Sequence, residues 1–262
     1  MSATNAKKIV STINQKGGVG KTTTVINLAT ALAAIGQRTL VCDMDPQGNA
    51  STGLGISSNN RAASIYEAMA ESCSIQDAIH ATDIKNLDVI PASVDLAAAE
   101  TELSGNHELL SEKLSSISEN YDIILIDCPP SLGMLTINAL FASKSILIPV
   151  QCEFFALEGL SHLIKTYEMI LSQKPDLEIE GIILTMYDKR NNLTQEVERE
   201  VRSVFGEAVY TTTIPRNVKI SEAPSYGLPV MMYDINCSGS IAYINLAKEF
   251  VKRNNIIIGS NE

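Results

Sequence analysis

Residues 16–23 combine three glycines, two lysines and two threonines at the spacing of a phosphate-binding loop. Glycine accepts positive φ angles, so such a loop can turn its backbone N–H groups towards an anion. Lys21 places a positive charge near the β- and γ-phosphates, and the Thr22 hydroxyl is a ligand for Mg²⁺. The chemistry expected here is the binding of a nucleoside triphosphate with magnesium. The predicted nucleotide-binding residues of this loop are Lys16, Gly17, Gly18, Val19, Gly20, Lys21, Thr22 and Thr23.

The loop departs from the general motif at its start. Gln15 occupies the position of the first glycine, and Lys16 adds a second lysine inside the loop. A cation so near to bound phosphates is attracted to them, and it could reach a phosphate across a subunit boundary. The alternative is that Lys16 is an ordinary solvated lysine.

Asp127 is the first acidic candidate, because it follows the apolar run 123–126. Such a run predicts a buried strand, whose carboxyl end lies at the sheet edge where open α/β sheets bind ligands. A carboxylate at that point suits Mg²⁺, held directly or through water. The alternative is an aspartate that only caps the following turn. Residues 128–133 then contain two prolines and a glycine, which predict a stiff turn able to sense the γ-phosphate.

Asp43 and Asp45 lie at the end of the second predicted strand. The two carboxylates are expected to differ in role, because only Asp43 still lies within the strand. Asp43 is predicted to be structural or to support Mg²⁺ indirectly. Asp45, at the entry to the loop, is predicted to orient the attacking water. Simple solvation of the loop is the alternative for both.

Strand-like apolar runs alternate with helix-length segments along most of the chain. This alternation predicts an α/β fold with a doubly wound, mainly parallel sheet flanked by helices, as in P-loop NTPases. A single domain over residues 1–262 is expected, with frayed ends at 1–7 and 256–262. A polar loop is expected from the second strand to about residue 60. The predicted strands are 8–14, 39–43, 87–91, 121–127, 145–150, 180–185 and 209–214. The predicted helices are 22–35, 64–71, 75–80, 96–103, 109–118, 134–142, 157–173, 194–205 and 240–254.

The composition excludes several classes of protein. Hydrophobic residues make up 45% of the chain, but no apolar run approaches the roughly 20 residues that cross a bilayer. The five cysteines are scattered, with no C-x-x-C pair, which argues against a disulfide framework or a zinc site. The net charge of −10 argues against DNA binding over the whole surface, although a local basic patch remains compatible with it.

The loop sequence Lys-Gly-Gly-Val-Gly-Lys-Thr-Thr resembles the deviant Walker A box of the ParA/MinD/nitrogenase-iron-protein group of ATPases. The run Asp-Met-Asp-Pro-Gln-Gly-Asn, which begins at Asp43, resembles the ParA/Soj branch in particular. Further similar blocks are residues 127–133, 149–153, 156–159, 184–188 and 214–227. The resemblance therefore extends over residues 8–253.

The resemblance implies a role for each residue of the phosphate site. Lys16 would contact the nucleotide of the partner subunit in an ATP-sandwich dimer. Lys16, Lys21 and Asp45 would be the catalytic residues, with Asp45 as the hydrolytic aspartate. Thr22 and Asp127 would hold Mg²⁺, Asp127 directly or through water.

The resemblance also implies two further contact regions. Pro215, Arg216 and Asn217 would line the nucleoside, although Pro and Asn also favour a simple turn after a strand. Arg190 and Lys219 would hold DNA, although a solvated face of mixed charge is the alternative. Further candidates for the DNA surface are Lys189, Arg199 and Arg202.

The function that the resemblance implies is ATP-dependent DNA partition by a weak, Mg²⁺-dependent ATPase. An ATP-bound homodimer would bind double-stranded DNA nonspecifically, and a ParB-like protein would stimulate hydrolysis and release. Such a protein is expected in the bacterial cytoplasm, associated with the nucleoid and without stable membrane association. The leading alternative is a MinD-like membrane-cycling ATPase, for which the apolar residues of segment 248–259 lack helical spacing. The spacing of the cysteines does not suit an iron–sulfur reductase. The segment ahead of Lys21 is too short for the helix-turn-helix domain expected of a transcription factor of this group.

Overall fold

The computed structural model describes residues 8–102 and 105–256. The expected fraying at 1–7 and 256–262 lies outside the described residues, except at Ile256, and the single domain stays a prediction. The strands are β1 (Lys8–Thr12), β2 (Thr39–Asp43), β3 (His80–Ala81), β4 (Leu87–Ile90), β5 (Ile123–Asp127), β6 (Ser145–Gln151) and β7 (Glu178–Thr185). The helices are α1 (Lys21–Ala34), α2 (Asn49–Gly53), α3 (Ile65–Met69), α4 (Leu96–Glu102), α5 (Leu109–Ser115), α6 (Met134–Ala142), α7 (Ala156–Leu171), α8 (Asn192–Phe205), α9 (Val218–Glu222), α10 (Val230–Tyr233) and α11 (Ser238–Arg253).

The strands form one sheet in the order β3-β4-β2-β5-β1-β6-β7. Every pairing is parallel except that of β3 with β4, which is antiparallel. This arrangement confirms the predicted doubly wound, mainly parallel α/β fold. Because β5 lies between β1 and β2, Thr12, Asp127 and Asp43 are neighbours in register at one edge. The sheet therefore brings the first strand and both acidic strand ends together.

Both faces of the sheet are buried, as the nearly continuous apolar strands predict. Along β5, Ile123 and Leu125 pack into the core formed with α1 and α11, whereas Ile124 and Ile126 pack into the core formed with α5 and α6. Each such side chain contributes about 1.5–3 kcal/mol of burial free energy. The central strands are thus fixed from both sides, and their carboxyl ends form a rigid base for the site.

Helix α1 begins directly after the glycine loop and ends where the sequence predicts. Gly20 precedes it with φ +91, and the first amides of the helix have no side-chain cap. Gly36, also at φ +91, donates its N–H to the carbonyl of Ala33 at 3.0 Å and terminates the helix. Uncapped N–H groups and the positive end of the helix dipole therefore face the loop.

The strand predicted at 209–214 is wrong. This segment runs beside β7 with only isolated bridges, Ile182 with Val209 and Tyr187 with Pro215. The backbone N–H groups of Thr211 and Thr212 donate instead to the Glu249 carboxylate of α11, at 2.7 and 2.8 Å. These two N–H groups are bonded to a side-chain carboxylate, so they are not available for the hydrogen bonds between strands that a regular strand requires.

Two other local predictions are also corrected. Residues 75–79 form a turn rather than a helix, in which the Ser74 hydroxyl donates to the Asp77 carboxylate at 2.5 Å, and His80–Ala81 then pairs with β4 as strand β3. The stretch predicted as a polar loop up to residue 60 contains helix α2 and a 3-10 turn at Ser58–Asn60. The remaining boundaries differ from the predictions by up to a few residues.

Candidate functional site

The side chains of Asn14, just after β1, and Thr185, at the end of β7, anchor the glycine loop. The Asn14 amide donates to the carbonyl of Pro149 at 2.7 Å, and its oxygen accepts the Lys16 N–H at 3.0 Å. The Thr185 hydroxyl donates to the carbonyl of Val19 at 2.7 Å. The ends of β6 and β7 therefore fix a loop whose own side chains are mostly absent.

Lys21 is the first residue of α1 and is only 6% exposed. Its ammonium donates to the carbonyl of Lys16 at 3.1 Å. Burial lowers the pKa of Lys21, although the negative charge of Asp127 opposes the shift. A poorly solvated cation beside the backbone N–H groups of the glycine loop is suited to binding a phosphate group.

A cavity of about 550 Å³ opens over this loop. It brings together glycines of the loop, Lys21, Thr22, Thr23 and Asp45, as the sequence predicts. Pro130, from the turn that follows Asp127, also lines it. The full lining comprises Gly17, Gly18, Gly20, Lys21, Thr22, Thr23, Ile26, Asp45, Asn49, Thr52, Pro130, Met186, Pro224 and Ser225.

Two residues of the loop do not line this cavity. Val19 is 2% exposed, and its side chain belongs to the core. The Lys16 ammonium forms an ion pair with Glu153, just beyond β6. Half of the Lys16 side chain stays exposed, and this lysine does not line the chain's own phosphate cavity.

The carboxylates of Asp43, at the end of β2, and Asp45, in the turn that follows, have different environments. Asp43 is fully buried and accepts the N–H and hydroxyl of Ser51 at 2.8 and 2.6 Å. Burial raises the pKa of Asp43 to about 6. Asp45 lines the cavity and accepts the Gln47 N–H at 3.0 Å. Asp43 thus fastens α2 to β2, whereas Asp45 faces the place of a ligand.

Asp127 is fully buried, and neither carboxylate oxygen accepts a hydrogen bond from any described residue. Burial raises the pKa of Asp127 well above its ordinary value, and the charge of Asp43 adds to the rise. The nearby Thr22 hydroxyl opposes this shift without reaching the geometry of a hydrogen bond. Buried polar atoms are nearly always satisfied, so two bare oxygens beside a hydroxyl are expected of a cation ligand. This donor set fits Mg²⁺ completed by phosphate and water.

We expect an Asp127→Asn variant to be more stable than the parent without nucleotide and magnesium, by about 1–3 kcal/mol, because a neutral amide costs less to bury than an unpaired carboxylate. Denaturant unfolding at neutral pH measures the gain. The folded-state pKa is raised, so the gain should shrink as the pH falls below that pKa and vanish below about pH 4, where the carboxyl is protonated in the unfolded chain as well.

A control for this variant lies at the other end of the same strand segment. Asp122 accepts two guanidinium hydrogen bonds from Arg38, at 2.8 and 3.2 Å, and this pair is partly exposed. Asp122→Asn should lower stability by up to about 1 kcal/mol. Equal destabilisation by both substitutions would contradict the interpretation of Asp127.

A second cavity, of about 290 Å³, adjoins the first and shares Gly20, Thr23, Met186 and Pro224 with it. Its other lining residues include the predicted nucleoside contacts Pro215, Arg216 and Asn217. The Asn217 amide oxygen also accepts the N–H of Lys219 at 2.8 Å and so caps α9. Asn217 therefore lines a cavity and makes a turn, and the two interpretations of the sequence are compatible.

Sequence reasoning missed several residues of this site. Met186 separates the two cavities with φ +50, a left-handed conformation that no local pattern predicts for methionine. Glu100 of α4 accepts the N–H of Met134 at 2.6 Å and holds the turn that follows Asp127. Thr185 and Thr52 were not singled out either. For Thr185 the local signal was a hydroxyl at a strand end, which is too common to be specific.

The two predicted DNA contacts lie apart from the phosphate cavity. The Arg190 side chain is 85% exposed and makes a two-point ion pair with Asp188, at 2.8 and 2.9 Å. Lys219 pairs with Glu222 at 3.2 Å and lies 5.2 Å from the centre of the Tyr233 ring. Arg190 lines a third cavity, of about 590 Å³, which Lys219 does not reach.

The three further candidates for the DNA surface differ in the contacts that their charged groups already make. Lys189 lines the same cavity as Arg190. Arg202 is bonded to Glu198 at 2.8 Å, and Arg199 donates to the carbonyl of Gln195 at 3.3 Å. These contacts match the solvated, mixed-charge face that was the alternative interpretation of α8.

Other features bear on the alternative functions. No helix in the described part of the chain is long and apolar enough to span a membrane. The five cysteines are all unpaired, and no group of three or more His, Cys, Asp or Glu side chains among residues 8–102 and 105–256 is arranged to hold a metal. Magnesium here would therefore depend on phosphate and water as well as on protein.

A parallel sheet, a glycine loop running into α1, and a strand-end aspartate together define a P-loop nucleotide-binding ATPase. A family model described as an AAA domain matches residues 7–179. The chromosome partitioning protein ParA of Caulobacter vibrioides is 51% identical over 255 residues, covering 95% of this chain and 96% of that protein. The sporulation initiation inhibitor protein Soj of Bacillus subtilis is 51% identical over 246 residues, covering 92% and 97%.

A solved structure agrees with these relatives. The septum site-determining protein MinD of Pyrococcus horikoshii, complexed with Mg-ADP, superposes with a TM-score of 0.78 at 29% identity, covering 93% of this chain and 95% of that one. The chain belongs to the ParA/Soj family of chromosome-partitioning ATPases. The resemblance stated from the motifs is thus confirmed, whereas the roles of individual residues stay predictions.

Proposed function

We propose that this chain is an ATP-dependent partition ATPase that forms an ATP-bound homodimer, binds double-stranded DNA nonspecifically, and is released when a ParB-like protein stimulates weak hydrolysis. The observation that supports this most directly is the presence of two adjoining cavities, one lined by loop glycines, Lys21, Thr22 and Asp45 and the other by Pro215. A triphosphate and its nucleoside fit such a pair of adjoining cavities. Relatives named as partitioning proteins support the biological role.

In this proposal different residues of the chain have different roles in ATP hydrolysis. Backbone N–H groups of the loop and the Lys21 ammonium bind and orient the phosphates. Thr22 and Asp127 would hold Mg²⁺, which when bound neutralises phosphate charge and so favours attack on the γ-phosphorus. The Asp45 carboxylate orients the attacking water and can accept its proton. The turn after Asp127 contacts the γ-phosphate through the region of Pro130.

Lys16 supports the dimeric part of the proposal. Its ammonium is held by Glu153 and remains half exposed, outside its own phosphate cavity. Such a lysine is available to a phosphate of a second chain, which is a stronger partner than one carboxylate. Dimer formation would then exchange the contact with Glu153 for a contact across the interface.

Arg190 and Lys219 support the DNA-binding part. Both are accessible side chains whose present partners, Asp188 and Glu222, are surface carboxylates. Exposed ion pairs contribute about 0–1 kcal/mol, so DNA phosphates can replace these carboxylates at little cost. With a net charge of −10 the chain must concentrate its basic contacts, and two copies in a dimer double them. We propose the bacterial cytoplasm, on the nucleoid, as the place of action.

DNA retention tests this proposal. The protein is passed over immobilised nonspecific duplex DNA with ATP, with ADP and without nucleotide, at low and high salt. We expect retention only with ATP, and a steep loss with salt because phosphate contacts release counterions. Equal retention in all three nucleotide states would contradict the nucleotide switch, and salt-independent retention would contradict phosphate contacts.

Arg190→Ala should weaken ATP-dependent retention about 5- to 10-fold and lower the salt slope by about one per chain. Arg38→Ala is a matched control, because Arg38 makes a similar two-point pair, with Asp122 before β5. The control should bind DNA like the parent. Equal effects of the two substitutions would show that Arg190 has no special role in DNA binding.

A further inference from the structure

Arg61 is a buried arginine that contacts helix α2. It is 9% exposed, and its guanidinium makes hydrogen bonds to three separate segments. It donates to the carbonyl of Ile56 at 2.7 and 3.2 Å, to the carbonyl of Ala92 at 3.3 Å, and to the Thr52 hydroxyl at 2.7 Å. One side chain therefore ties α2 and its following turn to the chain that leaves β4.

All these acceptors are uncharged, and none of the hydrogen bonds of the Arg61 guanidinium within the described residues goes to a carboxylate. Burial lowers the pKa of Arg61, and the charge of Asp43 opposes the shift from a distance. An arginine buried without a carboxylate contact costs free energy, whereas an apolar side chain of similar length would not. Stability alone is therefore a poor explanation for a guanidinium at this place.

The contacts of Arg61 lead to Asp45 in two short steps. The Thr52 hydroxyl, which accepts from Arg61, donates to the carbonyl of Gly48 at 3.0 Å. The N–H of Gly48 donates to the carbonyl of Asp45 at 2.8 Å and closes the turn that follows this aspartate. Thr52 and Asp45 both line the phosphate cavity. Arg61 thus supports the segment that carries Asp45, through Thr52 and Gly48, from a position outside the lining of the cavity.

Gly48 shows how closely the guanidinium approaches this turn. Gly48 has φ +63, and a Cβ atom added to it would lie 2.0 Å from Nη1 of Arg61. The space that a side chain would occupy at position 48 is filled by the arginine. The turn and the guanidinium are therefore packed as one unit.

We infer that Arg61 is a positioning residue for hydrolysis: its buried guanidinium, acting through Thr52 and Gly48, holds the turn that presents the Asp45 carboxylate to the phosphate cavity. This inference rests on the proposed role of Asp45 and extends it to a residue outside the cavity. A shift of about 1 Å in a reacting group can reduce the rate by about 100-fold, so such a brace affects turnover more than binding.

The test compares Arg61→Met, Arg61→Lys and Thr52→Val with the parent and with the control Arg38→Met. The measurements are kcat and KM for ATP hydrolysis, the Kd of a non-hydrolysable ATP analogue, and the thermal unfolding midpoint. We expect Arg61→Met to lower kcat about 10-fold or more while the Kd changes less than about 3-fold. Arg61→Lys should recover part of kcat, since lysine restores the charge and some of the donors.

The double variant separates positioning from general damage. If Arg61 acts through Thr52, Arg61→Met combined with Thr52→Val should be no slower than Arg61→Met alone. Multiplying effects, a parent-like kcat in either single variant, or a Kd that rises as much as kcat falls would overturn the inference. If Arg61→Met does not fold, Thr52→Val decides alone: a lower kcat at unchanged Kd supports the inference, and a parent-like kcat overturns it.

Asp45→Ala distinguishes this inference from the proposal beneath it. If Asp45→Ala hydrolyses ATP at the parent rate, the proposed role of Asp45 fails, and the role of Arg61 fails with it. If Asp45→Ala is inactive while Arg61→Met and Thr52→Val retain the parent kcat, only the inference about Arg61 fails.

Discussion

Replacing Lys21 by alanine is expected to weaken ATP binding by about 100-fold or more. The ammonium is 6% exposed and donates only to the carbonyl of Lys16 among the hydrogen bonds of the described chain. A phosphate oxygen is a stronger acceptor, and each hydrogen bond to a charged group contributes about 1.5–3 kcal/mol. Two such bonds correspond to about 100-fold or more in affinity. Titration calorimetry with Mg²⁺ and ATP measures the loss.

Lys144→Ala is the matched control for this prediction. Lys144 precedes β6 and lies 3.9 Å from the Asp176 carboxylate, at the opposite edge of the sheet from the glycine loop. It should bind ATP like the parent. Removing a buried cation should not lower the thermal midpoint of the Lys21→Ala protein, so misfolding would not explain its loss of affinity. An affinity within about 3-fold of the parent would exclude Lys21 as a phosphate ligand.

Replacing Asp45 by alanine is expected to lower ATP turnover by about 100-fold or more while leaving ATP binding intact. General acid–base groups contribute about 10²–10⁴-fold to enzyme rates. Asp45 lines the cavity, and removing its negative charge beside a triphosphate reduces repulsion, so affinity should hold or improve. Phosphate release at saturating ATP measures the rate, and size-exclusion chromatography with ATP measures dimer formation, which should persist.

The control for Asp45 is Asp176→Ala, which removes a carboxylate that is 59% exposed and far from the cavity. Both rate and affinity should stay at parent values in that variant. Parent-like hydrolysis by Asp45→Ala would show that another group orients the water. A joint loss of binding and turnover would instead assign Asp45 to nucleotide binding.

The sequence predicted those parts of the site in which contiguous residues carry the chemistry. The glycine loop, Lys21 and Thr22 form one short segment, and Asp43 and Asp127 follow apolar strands whose ends must meet in a parallel sheet. Local pattern and fold agree at these positions. The order of strands, including β5 between β1 and β2, was not predicted, because the alternation of strands and helices indicates a parallel sheet without fixing which strands are neighbours.

The parts that the sequence could not predict depend on contacts between distant residues. The segment 209–214 has the composition of a strand, but Glu249 of α11 accepts two of its N–H groups. Arg61 resembles an ordinary surface arginine until α2 and the end of β4 enclose it. The pairing of Lys16 with Glu153 joins residues 137 positions apart. No window of local sequence contains both partners of such a contact.

Because of the ion pair between Lys16 and Glu153, formation of the proposed dimer should depend steeply on the concentration of ATP. In a symmetric pair, each chain must free its lysine from Glu153 before that lysine can serve the neighbouring nucleotide. With only one site filled, only one of the two lysines gains a phosphate, and the other keeps its pair with Glu153. A singly loaded pair therefore has fewer contacts across the interface than a doubly loaded dimer. The concentration of dimer should then depend more steeply than linearly on the concentration of ATP. A modest fall in the ATP concentration would therefore dissociate most of the dimers.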